Sequence, residues 1–178
     1  IMFPCVLIVN FKSLKPKSIG IRIAYILYSI AIGVMLSSTF MTILAVDGPN
    51  AIMTISMSFL ISAGSFLLMG LIGALTKKNL SIIYPLLSAL LMGCLIISLV
   101  NVFIGSSIVY WITDFVILGV ILVVSAVDIN RVKKLAQAKA LDDNQNSLAV
   151  YCAFNLYVDF INIFIRVLMY VFLFARRD

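Results

Sequence analysis

The sequence predicts an all-α integral membrane protein, a multi-helix bundle with its last helix at the centre, and three observations predict it. Of 178 residues, 63% are hydrophobic and 11% charged, where a soluble domain is about 45 to 50% apolar and about 25% charged. The apolar residues gather into five runs, each long enough to cross a bilayer, which takes roughly 17 to 25 residues. The last run carries four polar residues at helical spacing, which lipid would reject unless other helices covered them.

The chain opens with an apolar stretch, Ile1 to Phe11, that is too short to span. It lacks the n-region and small-residue cleavage site of a signal peptide, so it reads as the end of a truncated helix. The five full segments are Ile19 to Val46, Ala51 to Thr76, Leu80 to Ile104, Ser107 to Val132 and Ser147 to Phe174. Their connections are short and hold breakers or charge: Lys12 to Lys17 with Pro16, Asp47-Gly48-Pro49-Asn50, Lys77-Lys78-Asn79, Asn101 to Ser106 around Gly105, and Arg131 to Asn146. Short loops between spanning helices make antiparallel neighbours in one compact bundle.

Basic residues cluster on alternate connections. Four fall between Lys12 and Arg22, two at Lys77-Lys78 and four between Arg131 and Lys139. The intervening turns hold only Asp47 or no charge, so the basic connections are expected to be cytoplasmic. Arg176-Arg177 at the C-terminus breaks this alternation: either the earlier, more numerous charges dominate, or Ser147 to Phe174 does not cross completely, and the length and continuous helical period of the run favour a crossing.

In Asn155-Leu-Tyr-Val-Asp-Phe-Ile-Asn-Ile-Phe-Ile-Arg-Val-Leu168, the residues Asn155, Asp159, Asn162 and Arg166 stand at offsets of 0, 4, 7 and 11. At about 100° per residue they share one face, forming a stripe roughly 16 Å long. Asp159 sits near the middle of its segment, where a charge costs about 2.5 to 3.5 kcal/mol on insertion scales. It needs a proton, a cation or a basic partner. Arg166 lies about 10 Å farther along the axis, too far for an intrahelical pair; its bland reading is a side chain that snorkels to the interface. The bland reading of Asn155 and Asn162 is an interhelical polar ladder.

The preceding segment carries Asp114 and Asp128, on nearly the same face but some 21 Å apart. Asp114, in Tyr110-Trp111-Ile112-Thr113-Asp114, reads as part of an interfacial anchor. Asp128 stands near the cytoplasmic end, where it reads either as an interfacial residue solvated beside its basic neighbours or as a carboxylate that could approach Asp159 from the facing helix. Two carboxylates brought together in low dielectric cannot both ionise cheaply, so they share a proton or hold a cation between them. A third, basic group could lock the doubly ionised form, and Arg166, Lys15 and Lys17 are the candidates.

Other chemistries find little support. The chain has no His, and Cys5, Cys94 and Cys152 lack metal-ligand or redox spacing and read as small packing residues. The net charge of +6 fits cytoplasmic loops rather than nucleic-acid binding. No enzymatic activity, cofactor or nucleic-acid partner is expected.

Leu156-Tyr-Val-Asp159-Phe-Ile-Asn162-Ile-Phe164 resembles the last-helix signature of the Bax inhibitor-1 (transmembrane Bax inhibitor motif) family, and Val127-Asp128-Ile-Asn-Arg-Val132 is similar to that family's aspartate motif on the preceding helix. Val127 stands where the family usually has Tyr. The resemblance covers essentially the whole chain and implies seven helices with the last one central, of which this chain holds five full ones and part of another. It further implies a pH-sensitive calcium leak gated by a di-aspartyl pair, here Asp128 and Asp159, with an arginine latch. That arginine has no clear counterpart in Phe11-Lys-Ser-Leu-Lys-Pro-Lys-Ser18, where Lys15 is nearest in spacing, and a lysine cannot make the bidentate clamp of a guanidinium.

Three functions therefore stand side by side. The first is a calcium-permeable channel in which Asp128, Asp159, Asn155 and Asn162 offer oxygen ligands for a weak relay, with protons, calcium and membrane lipid as the partners. The second is a noncatalytic regulator of cell death or of other membrane proteins, docking through small-residue surfaces such as Ser62-Ala-Gly64-Ser and Gly70-Leu-Ile-Gly73. The third, an intramembrane aspartyl protease, would use Asp128 and Asp159 as its dyad, but both glycines of the GxGD signature are missing. The composition fits a bacterial plasma membrane, with a mitochondrial inner or endoplasmic-reticulum membrane as alternatives.

Overall fold

The computed structural model describes residues 19–137 and 145–175. The expected partial helix at residues 1–11, the basic residues Lys15 and Lys17, and Arg176-Arg177 lie outside the described residues. The described elements are all helical: α1 (Ile19–Asp47), α2 (Ala51–Leu75), α3 (Tyr84–Ile104), α4 (Ser107–Gln137) and α5 (Gln145–Ala175), with 3-10 turns at Gly48–Asn50 and Leu80–Ile83.

Among the described residues four continuous helical stretches are long and apolar enough to cross a membrane, the first of them Tyr25–Leu75 with 51 residues. Straight, that stretch would reach about 77 Å, more than twice a hydrocarbon core of about 30 Å. It is folded in two. Gly48 has a φ of 53°, a left-handed conformation that suits glycine, and Pro49 opens the turn without an amide to satisfy. Phe164 of α5 meets Phe40 of α1 at 6.2 Å and Phe59 of α2 at 6.1 Å between ring centroids, so the two arms lie side by side.

The other boundaries also have local causes. α3 begins at Tyr84 rather than Leu80, because Asn79 caps the amide of Ser81 and starts a 3-10 turn; Pro85 then sits in the first helical turn. Gly105 ends α3 in the left-handed conformation, its N–H donating to the Asn101 carbonyl at 2.7 Å. The Asn101 amide clasps Ser106, donating to its carbonyl at 3.0 Å and accepting from its N–H at 3.1 Å. α4 continues past Val132 to Gln137.

α5 packs against α1, α2 and α4, and α2 and α4 pack on each other, with α3 resting on α4. The expected single central helix thus shares its place with α2 and α4, because each of the three packs against three other helices; in α5 the residues Phe154, Asp159, Ile161, Ile163, Phe164, Val167 and Leu168 are buried. Tyr25, Tyr28 and Ile32 of α1 join Phe154 and Ile161 in one core cluster; Ile43 and Ala51 join Phe164 and Leu168 in another. Outward faces carry large apolar side chains, with Phe103 91% exposed. In water so continuous an apolar coat is an aggregation surface; in a bilayer it is the lipid contact.

The buried face of α2 is built of small residues, Ala51, Thr54, Ser58, Ser62 and Gly73. The hydroxyls of Ser58 and Ser62 donate to the carbonyls of Thr54 and Ser58, both at 2.6 Å, so burial leaves neither unsatisfied. The small-residue surfaces considered for docking are thus partly consumed inside the bundle: Ser62 is fully buried, Gly73 lies on the Ala126 backbone and Gly70 on Ile129.

One buried amide ties the basic end together. Asn130 of α4 donates to the carbonyls of Gly73 at 3.0 Å and Thr76 at 2.9 Å, and accepts from the Leu80 N–H at 3.3 Å. Lys133 donates to the Ala74 carbonyl at 2.5 Å. These bonds satisfy the last carbonyls of α2 and bring the Lys77-Lys78 connection to the end of the bundle that holds Arg131 to Lys134. Asn130→Leu should cost about 1 to 2 kcal/mol by leaving two carbonyls without a donor. Faster tryptic cleavage at Lys77-Lys78 in detergent would check it; an unchanged rate would mean the loop is held otherwise.

Candidate functional site

The facing register of α4 and α5 decides which polar residues meet. Tyr110 lies against Met169, and Asp114 forms an ion pair with Arg166. Fourteen residues along α4 from Asp114 is Asp128; fourteen back along α5 from Arg166 is Cys152. In agreement with that register, Asp128 and Cys152 line one cavity of about 100 Å³ together with Arg131, Val132, Leu135, Tyr151 and Asn155. It lies at the basic end of the bundle, between the two helices.

Asp128 is 7% exposed and Asp159 8%. Asp159 sits two turns deeper in α5 than Cys152, beside the Ser125 side chain and within the electrostatic reach of Asp128. Among the described residues its Oδ2 is buried with no hydrogen-bond partner. The fully buried Ser125 hydroxyl donates to the Ile121 carbonyl at 3.0 Å. A hydroxyl has one proton, so turning Ser125 toward Asp159 would exchange that bond for a charge-assisted one. Other groups lie within electrostatic reach of the pair: Tyr84 of α3 is coupled to Asp128, Arg131, Tyr151 and Asp159, while Tyr25 of α1 is coupled to Tyr151 and Cys152 and has a buried hydroxyl with no partner among the described residues.

The predicted stripe on α5 divides into three environments. Asn155 lines the cavity. Asn162 turns its amide onto its own helix, donating to the Val158 carbonyl at 2.8 Å. Arg166, considered as a latch or a snorkelling side chain, is instead held by Asp114, whose other oxygen accepts from Tyr170 at 2.7 Å. Asp114 is correspondingly more than an interfacial anchor. Sequence reasoning misses this partner because it weighs Arg166 against its own helix and against the Asp128 and Asp159 pair, whereas the charge it needs is Asp114 on the neighbouring helix.

Arg131, Ser125 and Cys152 were not singled out from sequence. Ser125, Asp128 and Arg131 are spaced three apart, which puts them along one side of α4, so the spacing was legible. Arg131 is the basic group beside Asp128 among the described residues, on the same helix as the carboxylate. Cys152, read as packing, is a wall of the cavity. Among the described residues no group of three or more His, Cys, Asp or Glu could hold a metal ion.

A helical membrane bundle with two buried carboxylates on its last two helices is the class that fold and site define. The family model described as "Inhibitor of apoptosis-promoting Bax1" matches residues 1–177. The chain belongs to the Bax inhibitor-1 family, and it is an integral, multi-pass membrane protein. Relatives include the inner membrane protein YbhL of Escherichia coli K12, 31% identical over 146 residues, which are 81% of this chain and 59% of YbhL. An uncharacterized membrane protein of Streptococcus pyogenes serotype M3, SpyM3_0260, is 34% identical over 125 residues, covering 70% of this chain and 53% of that protein. An uncharacterized protein of Borreliella burgdorferi is 36% identical over 159 residues, 86% of this chain and 63% of its own length. The chain thus spans about three fifths of the length of the curated relatives it matches.

Proposed function

We propose that this protein is a non-enzymatic, pH-sensitive calcium leak of a bacterial plasma membrane, gated by Asp128 and Asp159. The observation that carries the reading is the placement of two buried carboxylates on facing helices, one with an oxygen that has no hydrogen-bond partner among the described residues. Proton binding changes the charge of that pair and hence the contact between α4 and α5, a two-state element biased by pH. Arg131, in the same cavity as Asp128, takes the role of the basic partner to the ionised form. Calcium asks for six to eight oxygens, and two carboxylates with Asn155 nearby supply fewer, so the ion is relayed with part of its water shell and not caged.

The reading is tested with purified protein in liposomes carrying a trapped calcium indicator. Calcium should enter down its gradient at a rate that depends on pH, and Asp128→Asn should flatten that dependence. A variant whose profile overlies wild type would remove Asp128 from the gate, and wild-type vesicles as tight as empty ones would remove the leak.

A further inference from the structure

We propose that Asp114, Arg166 and Tyr170 form a second lock on the seam between α4 and α5, at the end opposite the Asp128 cavity and in series with it. Both oxygens of Asp114 are engaged, Oδ1 by the Arg166 guanidinium and Oδ2 by the Tyr170 hydroxyl at 2.7 Å. Arg166 and Tyr170 stand four apart on α5, one turn above the other, so a single carboxylate of α4 is gripped at two levels of the facing helix. The grip is braced by aromatic rings: Trp111 stacks on Tyr170 at 5.7 Å and Phe115 lies tilted against it at 6.2 Å.

The side chains of Arg166 and Asp114 are only 22% and 16% exposed. A charge pair so covered is either complete or costly, because losing one partner leaves the other uncompensated in low dielectric. The groups facing Arg166 are Asp114 and Tyr110 from α4, Tyr170 from α5 and the buried Cys94 from α3. The guanidinium therefore sits between α4 and α5 within electrostatic reach of Cys94 on α3, on the same stripe as Asp159 and Asn162. For a cation leaving Asp159 along that stripe it is an electrostatic barrier, and Asp114 becomes an oxygen ligand only after the pair opens.

The flux arm of this inference rests on the leak reading, whereas a second arm does not. In the liposome assay, Arg166→Met should raise calcium entry severalfold without moving the pH of half-maximal flux. Asp114→Asn should lower it severalfold by leaving the guanidinium bare, and the exchange of both charges, D114R with R166D, should return it toward wild type. Independently, Cys94 reports whether the seam is closed. Its modification by a membrane-impermeant thiosulfonate, resolved from the other cysteines by mass spectrometry, should be slow in wild type and in the charge exchange and faster in Arg166→Met. Labelling of Cys94 at the wild-type rate in Arg166→Met overturns the lock. Absence of any wild-type calcium flux sinks the leak reading alone, and the Cys94 rates still decide the lock.

Discussion

Asp159→Asn should abolish the pH response of calcium flux, leaving the protein at the level wild type reaches in acid. Asn has the shape of the protonated carboxyl and carries no titrating proton. The substituted position is 8% exposed, so no surface group replaces its charge. Asn also removes a charge whose placement mid-bilayer costs about 2.5 to 3.5 kcal/mol, so the variant should fold at least as well as wild type. Its thermal unfolding midpoint in detergent distinguishes a silent sensor from a damaged bundle. The size of the effect follows from two-state arithmetic: about 1.4 kcal/mol of altered interaction between α4 and α5 displaces their equilibrium about tenfold. A variant that unfolds like wild type and still responds to pH would move the sensor to another group near the cavity, with Tyr84, Tyr151 and Cys152 the titratable neighbours to test next.

How much of this was legible beforehand depends on which residues carried periodic information. Helix positions follow from uninterrupted apolar runs, and the burial of α5 followed from the spacing of Asn155, Asp159, Asn162 and Arg166. The Asp128 motif was visible as a motif, but its three polar residues have separate duties that no pattern in one helix discloses. Asp128 faces the cavity, Asn130 closes the end of α2 and Arg131 faces Asp128. Asn130 could not be assigned because its partners are main-chain carbonyls 54 and 57 residues away. Arg166 could have been assigned. Once α4 and α5 are taken as antiparallel, Asp114 and Arg166 fall opposite each other in the register that makes Asp128 and Cys152 neighbours, and two charges that neither helix can satisfy alone are satisfied together.

The approach of α2 to α4 at Gly73 is the tightest at any described glycine, and it gives the largest expected effect on stability. A Cβ placed on Gly73 would overlap the Ala126 carbonyl oxygen and lie 3.0 Å from its carbon and 3.1 Å from its Cα. The obstacle is main chain, so no rotamer relieves it; α2 and α4 must separate. Separation would also stretch the Asn130 bond to the Gly73 carbonyl and displace Ala126, which stands between Ser125 and Asp128. Gly73→Val should therefore lose about 3 kcal/mol or more, the upper part of the usual overpacking range, and fail to yield a monodisperse detergent-solubilised protein. The other glycines of α2 provide the scale. Gly70 meets only the flexible tip of Ile129 at 3.0 Å, and Gly64 meets nothing within 4 Å. Gly70→Ala should be mild, and Gly64→Ala neutral or stabilising by up to about 1 kcal/mol, the helix propensity difference. Unfolding midpoints that fall in the order Gly64→Ala, Gly70→Ala, Gly73→Val place the α2 and α4 contact at Gly73. Equal midpoints for all three would mean that the helices are held apart by residues elsewhere, and that the Asp128 face does not depend on this approach.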